Sequence, residues 1–256
     1  MNAPEHFVEW MNGHIANDNK FGRKIFRYHP RSDEHSKKIC HLVIADLLKG
    51  CDLLREHAQK RLVVGGVNTG VEFPNGKHKT LDLGIGAPAE VLVPADTPDL
   101  LRNEIHSLRI ACEAKQCMTE HSKTQPRIFD ELSSSHEIVH QGDTHAIAAG
   151  IVILNIASDY ASPTRQTSGD GPLNMTKHRQ PYVTERMVTH LRGLRMRERI
   201  GDVGFDAFAI IIIDCDNIGP CRLHTDLPAP QLGDPYHYQT FLSRITSAYA
   251  ERFPQR

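Results

Sequence analysis

A chain of 256 residues with 24% charged and 39% hydrophobic residues has the size and composition of one domain with a sizeable buried core. Its formal net charge of −1 excludes a strong overall basic field, so binding to a nucleic acid would need a local basic patch. No stretch approaches the roughly 20 apolar residues of a membrane-spanning helix, and the first residues lack the basic and apolar parts of a signal peptide. We therefore expect a cytoplasmic protein without a membrane partner.

The six cysteines are spread through the chain, four of them in apolar settings. This pattern predicts reduced core residues rather than a disulfide framework. Cys112, Cys117 and His121 are residue types that bind zinc. Cys112 belongs to an apolar face, however, and no fourth ligand is evident, so the sequence does not favour a zinc site.

The first third of the chain predicts helices and then a strand. Residues 1–30 favour a short helix followed by irregular chain, and residues 32–48 and 51–59 predict two further helices, the first capped by a serine or an aspartate. Residues 61–65 predict a first strand. The glycines after it loosen the chain before a turn at residues 74–76.

Two later segments alternate between apolar and polar residues, as strands do when one face is buried. Residues 79–86 place Asp82 opposite an apolar face, and residues 109–115 place Glu113 and Lys115 opposite another. The apolar faces consist of Leu81, Leu83 and Ile85 in the first segment and of Ile110, Cys112 and Ala114 in the second. If the two strands are adjacent, they bring the two carboxylates together.

The residue types at these positions suit phosphodiester hydrolysis. Mg²⁺ binds one or two carboxylates while it keeps waters and substrate phosphate oxygens as ligands, and Asp82 and Glu113 supply those carboxylates. Lys115 lies two residues after Glu113 and therefore on the same strand face. Its ammonium group could orient or deprotonate the attacking water, or balance the charge of the phosphate.

The acid Asp82, followed later by Glu113, Ala114 and Lys115, resembles the motif of the PD-(D/E)XK nuclease superfamily, which includes many restriction endonucleases and DNA-cleaving defence and repair enzymes. The resemblance covers roughly residues 32–157. It implies catalysis by Asp82, Glu113 and Lys115, and cleavage of nucleic acid, most often DNA. It also implies a Mg²⁺ ion, replaceable by Mn²⁺, held by both carboxylates and the backbone carbonyl of Ala114.

The chain departs from the motif at two points. Leu81 stands where the motif has a proline, and residues 87–107 form an inserted loop between the two strands. In the resembled superfamily, an acid from the helix before the sheet often joins the metal site, which makes Glu34 and Asp46 candidates. The alternatives are that Glu34 complements the charge of the helix N-terminus and that Asp46 is a solvated residue.

The segment after Lys115 is polar, and residues 126–142 predict a helix opened by a proline and ended by a glycine. In the resembled superfamily this region grips the phosphate backbone. The candidate nucleic-acid contacts are Gln116, His121, Ser122, Lys123 and Arg127. An ordinary exposed loop and helix face is the alternative, and the glutamine points to the other strand face if the strand continues.

The nearly all-apolar residues 146–157 predict a strand buried on both faces. It completes the order helix, strand, strand, strand, helix, strand, which is the common core of the resembled superfamily. We therefore predict an α/β fold with a restriction-endonuclease-like mixed sheet flanked by helices, in a single domain of residues 1–256. Residues 1–30 would form an N-terminal segment, residues 31–157 the catalytic core, and residues 158–256 an extension of the same sheet.

This extension predicts a helix at residues 183–200, a strand at residues 205–214 and a helix at residues 238–253. The first of these helices lies in the most basic stretch of the chain. Acidic residues are interspersed with its arginines, so we expect the arginines, Arg197 among them, on a solvated face rather than in contact with nucleic acid.

The leading hypothesis is a metal-dependent endonuclease that acts on DNA, double-stranded in the first instance, in restriction or anti-phage defence. Cutting both strands usually demands two active sites, so we expect a homodimer or a higher homo-oligomer. One alternative is a non-cleaving nucleic-acid-binding module with the same fold. Another is a phosphohydrolase that uses Asp214 and Asp216 at the end of the last predicted strand.

Overall fold

The computed structural model describes residues 1–16, 21–73, 76–95 and 97–254. The α-helices in these ranges are α1 (Ala3–Gly13), α2 (Glu34–Gly50), α3 (Asp52–Gln59), α4 (His121–Gly142), α5 (Tyr182–Leu191) and α6 (Tyr238–Arg252). The strands are β1 (Val64–Glu72), β2 (His78–Ala87), β3 (Ser107–Cys117), β4 (Ile147–Asn155), β5 (Asp159–Ala161), β6 (Met175–Lys177), β7 (Ala207–Asp214) and β8 (Arg222–Leu223). None of the helices in the described ranges is long and apolar enough to cross a membrane.

Six strands form one mixed sheet in the order β1-β2-β3-β4-β7-β8, and β5 pairs with β6 in a separate two-stranded sheet. β1, β2 and β3 are antiparallel neighbours, β3, β4 and β7 run parallel, and β8 is antiparallel to β7. Parallel neighbours need a crossover connection, and α4 provides it between β3 and β4. The prediction of an α/β fold, with a mixed sheet flanked by helices, is therefore confirmed.

Helices cover both faces of this sheet. On one face, which we call the first core, the strands pack against α1, α2, α3 and α6 through side chains such as Phe7, Ile39 and Phe241. On the other face, the second core, they pack against α4 and α5 through Ile128 and Met187. Because both faces are covered, every residue of β4 is buried, as its apolar run predicted.

The first strand lies later in the chain than predicted. A strand at residues 61–65 is wrong, since β1 spans Val64–Glu72 and includes the glycine-rich stretch. Gly65 fits because β1 approaches β2 closely there: a Cβ atom on Gly65 would lie 2.0 Å from the carbonyl oxygen of Gly84, and φ of Gly65 is +152°. Such a backbone favours glycine. Residues 74–75 of the predicted turn lie outside the described residues.

The predicted common apolar face of Leu81, Leu83 and Ile85 is also wrong. Leu83 and Ile85 pack in the first core, whereas Leu81 packs in the second core. The break coincides with Asn68 of the neighbouring strand β1, which has a φ of +52°. Asn68 makes no ladder pair with β2, although the residues before and after it do. The part of β2 that precedes Asp82 is therefore turned toward α4.

Two helix boundaries differ from the predicted ones. α4 begins at His121 rather than at residue 126, so Pro126 lies inside the helix. α5 ends at Leu191 instead of residue 200. Arg197, expected on a solvated face, is 2% exposed because its guanidinium group reaches the buried carboxylate of Asp206.

The cysteines follow the prediction only in part. The free and buried cysteines are Cys40, Cys51, Cys112 and Cys117. Cys215 and Cys221 are instead joined by a disulfide bond, so the prediction of reduced residues is wrong for this pair. Their Cα atoms lie 4.4 Å apart because the chain reverses between β7 and β8.

Candidate active site

β2 and β3 part at the two predicted acids. The last ladder pair between these strands joins Leu83 to Cys112, and Asp82 and Glu113 lie next to that pair on the two strands. One carboxylate oxygen of Asp82, Oδ2, accepts a hydrogen bond of 2.8 Å from the backbone N–H of Ala114. The structure therefore brings the two carboxylates side by side at the point where the strands separate.

Lys115 lies on the same strand face as Glu113. Its Nζ is 2.7 Å from Oε1 of Glu113 and 3.2 Å from Oε2 of Glu131. The side chains of Lys115 and Glu113 are 25% and 12% exposed, so the pair is largely desolvated and still reachable from solvent. All three residues predicted to be catalytic thus form one cluster.

One face of α4 also lines the site. Arg127, Glu131 and Ser135 follow each other at a spacing of four, which places them on one side of the helix. Arg127 Nη1 donates to Glu131 Oε1 at 3.1 Å, and Ser135 Oγ donates to Glu113 Oε2 at 3.1 Å. The sequence interpretation did not assign Glu131 or Ser135 to the site; their spacing is the signal that places them on the helix face of Arg127.

A second lysine reaches the same carboxylate. Nζ of Lys79 lies 3.5 Å from Oε2 of Glu113 and donates a hydrogen bond of 2.8 Å to Oγ of Ser135. Strict alternation along β2 would place Lys79 on the face opposite Asp82. Because the alternation breaks between Leu83 and Leu81, Lys79 shares the α4 side with Leu81, and Glu113 is held between two ammonium groups.

The pKa shifts follow from this arrangement. Burial, together with the negative charge of Glu113, raises the pKa of Asp82 above its ordinary value. Burial also opposes ionisation of Glu113, but the charges and hydrogen bonds of Lys115 and Lys79 outweigh it and lower the pKa of that carboxyl. For Lys115, burial lowers the pKa, and the attraction of Glu113 and Glu131 more than compensates, so the pKa is raised. Lys115 is therefore protonated at neutral pH.

The two carboxylates fit a hard divalent cation. Burial and then the charge of Glu113 raise the pKa of Asp82, and a cation between the two carboxylates would oppose both effects. Within the described part of the chain, no group of three or more His, Cys, Asp or Glu side chains could hold a metal ion. The pair would thus bind an ion whose remaining ligands are water, substrate or backbone oxygens, as Mg²⁺ does. The backbone carbonyl of Ala114 stays the predicted third ligand, while the N–H of the same residue donates to Asp82.

The structure does not bring either acid of α2 to this pair. Asp46 accepts hydrogen bonds from the backbone N–H of Ala3 at 2.7 Å and from the hydroxyl of Tyr238 at 2.9 Å, so it holds the start of α1. Glu34 lies at the start of α2, where it accepts a hydrogen bond from Ser32 and is 3.4 Å from His14. Each carboxylate thus has partners other than Asp82 and Glu113, and the roles of the two acids as metal ligands stay predictions.

The predicted nucleic-acid contacts divide into buried and exposed residues. His121 is 2% exposed, and burial lowers its pKa to about 4, so its ring cannot reach a phosphate and this prediction is wrong. The side-chain nitrogen of Gln116 is buried without a hydrogen-bond partner among the described residues. Ser122, Lys123 and Arg127 are exposed on the first turns of α4. The last two side chains are 80% and 65% exposed.

The competing acids Asp214 and Asp216 lie elsewhere, at the end of β7. Oδ1 of Asp216 accepts hydrogen bonds from the backbone N–H groups of Ile218 and Gly219, at 2.9 and 2.6 Å. This carboxylate therefore fixes the turn that leads to β8. Asp214 is exposed at the last position of β7, where it pairs with Arg222 of β8.

Comparison of the chain with protein-family models, with curated proteins and with solved structures returns no match.

Proposed function

We propose that this protein is a metal-dependent endonuclease that hydrolyses phosphodiester bonds of double-stranded DNA. The observation that carries the proposal is the cluster of Asp82, Glu113 and Lys115 where β2 and β3 part. The order of the elements around the cluster, helix, three strands, helix and strand, supports a restriction-endonuclease-like fold of the PD-(D/E)XK superfamily. A role in restriction or anti-phage defence, as a homodimer or higher homo-oligomer, belongs to the same proposal.

Asp82 and Glu113 would hold the Mg²⁺ ion, or Mn²⁺ in its place. Such an ion supplies a nucleophile at neutral pH and neutralises charge on the phosphate. The carboxylates are suited to this because Glu113 is ionised at neutral pH under the influence of two lysines, while Asp82 is held beside it by the backbone of Ala114.

Lys115 contributes positive charge next to the scissile phosphate. Its raised pKa keeps the ammonium group protonated, which favours electrostatic stabilisation over removal of a proton from water. Lys79 adds a second ammonium group on the other side of Glu113. In the cluster these two lysines offset the charges of Glu113 and Glu131, so the further positive charge that a phosphodiester needs would come from the bound metal ion.

Two cations on the surface of α4, each paired with a glutamate, lie between this cluster and solvent. Lys123 and Arg127 are exposed on its first turns, and Arg127 adjoins the cluster through Glu131. Exposed cations beside a recessed acidic pair suit a polyanion whose backbone lies along the helix and whose scissile phosphate enters the cleft.

The test is cleavage of a supercoiled plasmid by the full chain with Mg²⁺ or Mn²⁺. We expect nicked and linear products from the wild type. Asp82→Asn, Glu113→Gln and Lys115→Met should each reduce the rate by about 10²–10³-fold. Asp46→Asn, which changes an acid bound to α1, is the matched control and should keep the wild-type rate.

Each alternative makes a different prediction for the same assay. Equal cleavage by the wild type and all three site variants would contradict the endonuclease proposal. If DNA is retarded in a gel but stays intact with either metal, the protein is a binding module. Loss of a phosphohydrolase activity with Asp214→Asn alone would favour the acids of β7, although the binding of Asp216 to its own turn argues against them.

A further inference from the structure

A second cavity opens at the other end of β3, between α3, the end of α6 and the loop that follows β2. Its volume is about 780 Å³, within the range of small-molecule sites. The wall includes His57 of α3, Arg109 of β3, Val91 and Leu92 of the loop, and Phe253 after α6. None of these residues belongs to the cluster around Asp82.

A β-bulge delivers the arginine to this cavity. Ile85 pairs with Ile110 and Gly86 pairs with Leu108, so Arg109 is an extra residue in β3. Bulges re-aim a side chain relative to the regular alternation of the strand. The guanidinium group of Arg109 consequently reaches α3 and α6, which pack in the first core. Glu113 and Lys115, which belong to the same strand, point toward α4 instead.

Neutral groups hold this guanidinium group in place. Nη1 of Arg109 donates a hydrogen bond of 3.0 Å to the hydroxyl of Tyr249 and lies 3.1 Å from Nδ1 of His57. Its carbon Cζ is 5.3 Å from the centre of the Phe253 ring. Burial, and then the charge of Arg109, lowers the pKa of His57, while burial raises the pKa of Tyr249 to about 12. Both neighbours are thus uncharged at neutral pH.

No carboxylate of the described part of the chain lies within ion-pair distance of Arg109. Its guanidinium group forms no ion pair there, and its Nε and Nη2 groups donate no hydrogen bond to described residues. The other cations of the wall are each paired with a carboxylate: Lys60 with Glu56, Arg61 with Asp99, and Arg252 with Asp206. Two carboxylates, those of Glu90 and Glu251, also line the cavity. Planar guanidinium groups with free N–H donors are well matched to oxyanions.

The rest of the wall is apolar enough for more than an inorganic ion. Val91 is 102% exposed at the edge of the cavity, and the neighbouring Val93 is 86% exposed. Phe253 and Pro254 form the wall at the end of α6. Exposed apolar side chains beside a cation are typical of sites that bury a ring or an aliphatic group next to a polar anchor.

We propose that this cavity binds a small organic anion of mononucleotide size, with its oxyanion on Arg109 and its ring against Val91 and Phe253. The oxyanion is a phosphate or a carboxylate. The site is separate from the cluster around Asp82, and the proposal does not rest on nuclease activity.

The test is isothermal titration calorimetry of the full chain with four probes. Adenosine monophosphate and 1-naphthoate combine a ring with an oxyanion, whereas adenosine and inorganic phosphate each lack one part. We expect a Kd below about 1 mM for at least one combined probe and at least about tenfold weaker binding of adenosine and of inorganic phosphate. Preference for the first or the second combined probe distinguishes phosphate from carboxylate. No binding of either combined probe to the wild type would overturn the proposal.

Variants locate the binding on the arginine. Arg109→Gln should weaken binding at least about tenfold, and Arg109→Lys should retain part of it. Arg192→Gln is the matched control, because Arg192 also lies over an aromatic ring, that of Tyr236, but outside the cavity. Unchanged binding by folded Arg109→Gln would also overturn the proposal. Asp82→Asn should bind the same probe as the wild type, which keeps this result distinct from the nuclease assay.

Discussion

Asp206 and Asp82 are both largely withdrawn from solvent, yet their surroundings shift their pKa values in opposite directions. Burial opposes ionisation of Asp206, but the hydrogen bonds from His140 and Arg252 outweigh it and lower the pKa of that carboxyl. Burial and the charge of Glu113 raise the pKa of Asp82, and nearby donors compensate only in part. The protein supplies Asp206 with enough hydrogen bonds and ion pairs to stabilise its ionised form. The ionised form of Asp82 would be stabilised by additional positive charge.

The contacts of Asp206 explain why its ionised form is stabilised. Oδ1 lies 2.5 Å from Arg252 and 3.5 Å from Arg197, and Oδ2 accepts from the N–H of Ala148 at 2.8 Å and lies 3.3 Å from His140. These residues, which we call the Asp206 cluster, tie α4, α6 and β4 together. The protein therefore supplies all the partners of the Asp206 carboxylate, whereas Asp82 keeps an unfavourable negative neighbour, as a site that awaits a cation would.

The largest effect on stability is expected when the carboxylate of Asp206 is removed. Asp206→Ala leaves two arginines buried without their carboxylate, so we expect the free energy of unfolding to fall by about 3–5 kcal/mol. Urea denaturation at pH 7 measures the change. Asp52→Ala is the control, because Asp52 pairs with Arg55 on the surface of α3 with 90% of its side chain exposed, and its loss should cost less than about 1 kcal/mol. If Asp206→Ala also cost less than about 1 kcal/mol, the Asp206 carboxylate would not be the stabilising contact inferred here.

Sequence could not predict the Asp206 cluster because its members come from distant parts of the chain. His140, Arg197 and Arg252 belong to three different segments, and only the packed fold brings them to one carboxylate. A basic run that contains Arg197 looks like a solvated surface until its neighbours are known. Alternation, in contrast, sufficed to place Glu113 and Lys115 on one strand face, because that property is local to β3.

At the candidate site, removal of a buried carboxylate should raise the free energy of unfolding instead of lowering it. A carboxyl group whose folded-state pKa is raised contributes stability below its unfolded pKa and loses it as the pH rises through the folded pKa. Ionised Asp82 is therefore unfavourable at neutral pH, and Asp82→Asn should raise the free energy of unfolding, by on the order of 1 kcal/mol at pH 7. The gain should shrink as the pH falls toward 3.8, the ordinary value for an aspartate.

Glu113→Gln is the counterpart within the same cluster. The pKa of Glu113 is lowered, so its ionised form stabilises the protein above the unfolded pKa, and this stability is lost as the pH falls through the folded pKa. We expect the substitution to cost about 1–3 kcal/mol at pH 7, because two lysines lose their shared acceptor. Urea denaturation of both variants at pH 7 gives the comparison, and the same sign for both would refute the assigned electrostatics.

Other features around β2 and β3 could not be predicted from the sequence because they depend on how the strands pair and pack. Lys79 joins the candidate site only because the alternation of β2 breaks at Asp82, opposite the left-handed residue Asn68. The β-bulge at Arg109 likewise depends on the register between β2 and β3, which the sequence of one strand does not encode. The spacing of Glu131 and Ser135 was readable, but it gains meaning only when α4 is known to lie beside β3.

The smallest test concerns the outer rim of the candidate site. Glu131 is 37% exposed and contacts Lys115 at 3.2 Å and Arg127 at 3.1 Å. Solvent and salt screen such pairs, so Glu131→Gln should lower the free energy of unfolding by less than about 1 kcal/mol, and 1 M NaCl should abolish the difference. Urea denaturation at low and high salt measures both effects. A salt-resistant loss as large as that of Glu113→Gln would mean that Lys115 is held by the helix rather than by the strand acid, and that the cluster is a structural tie like that of Asp206.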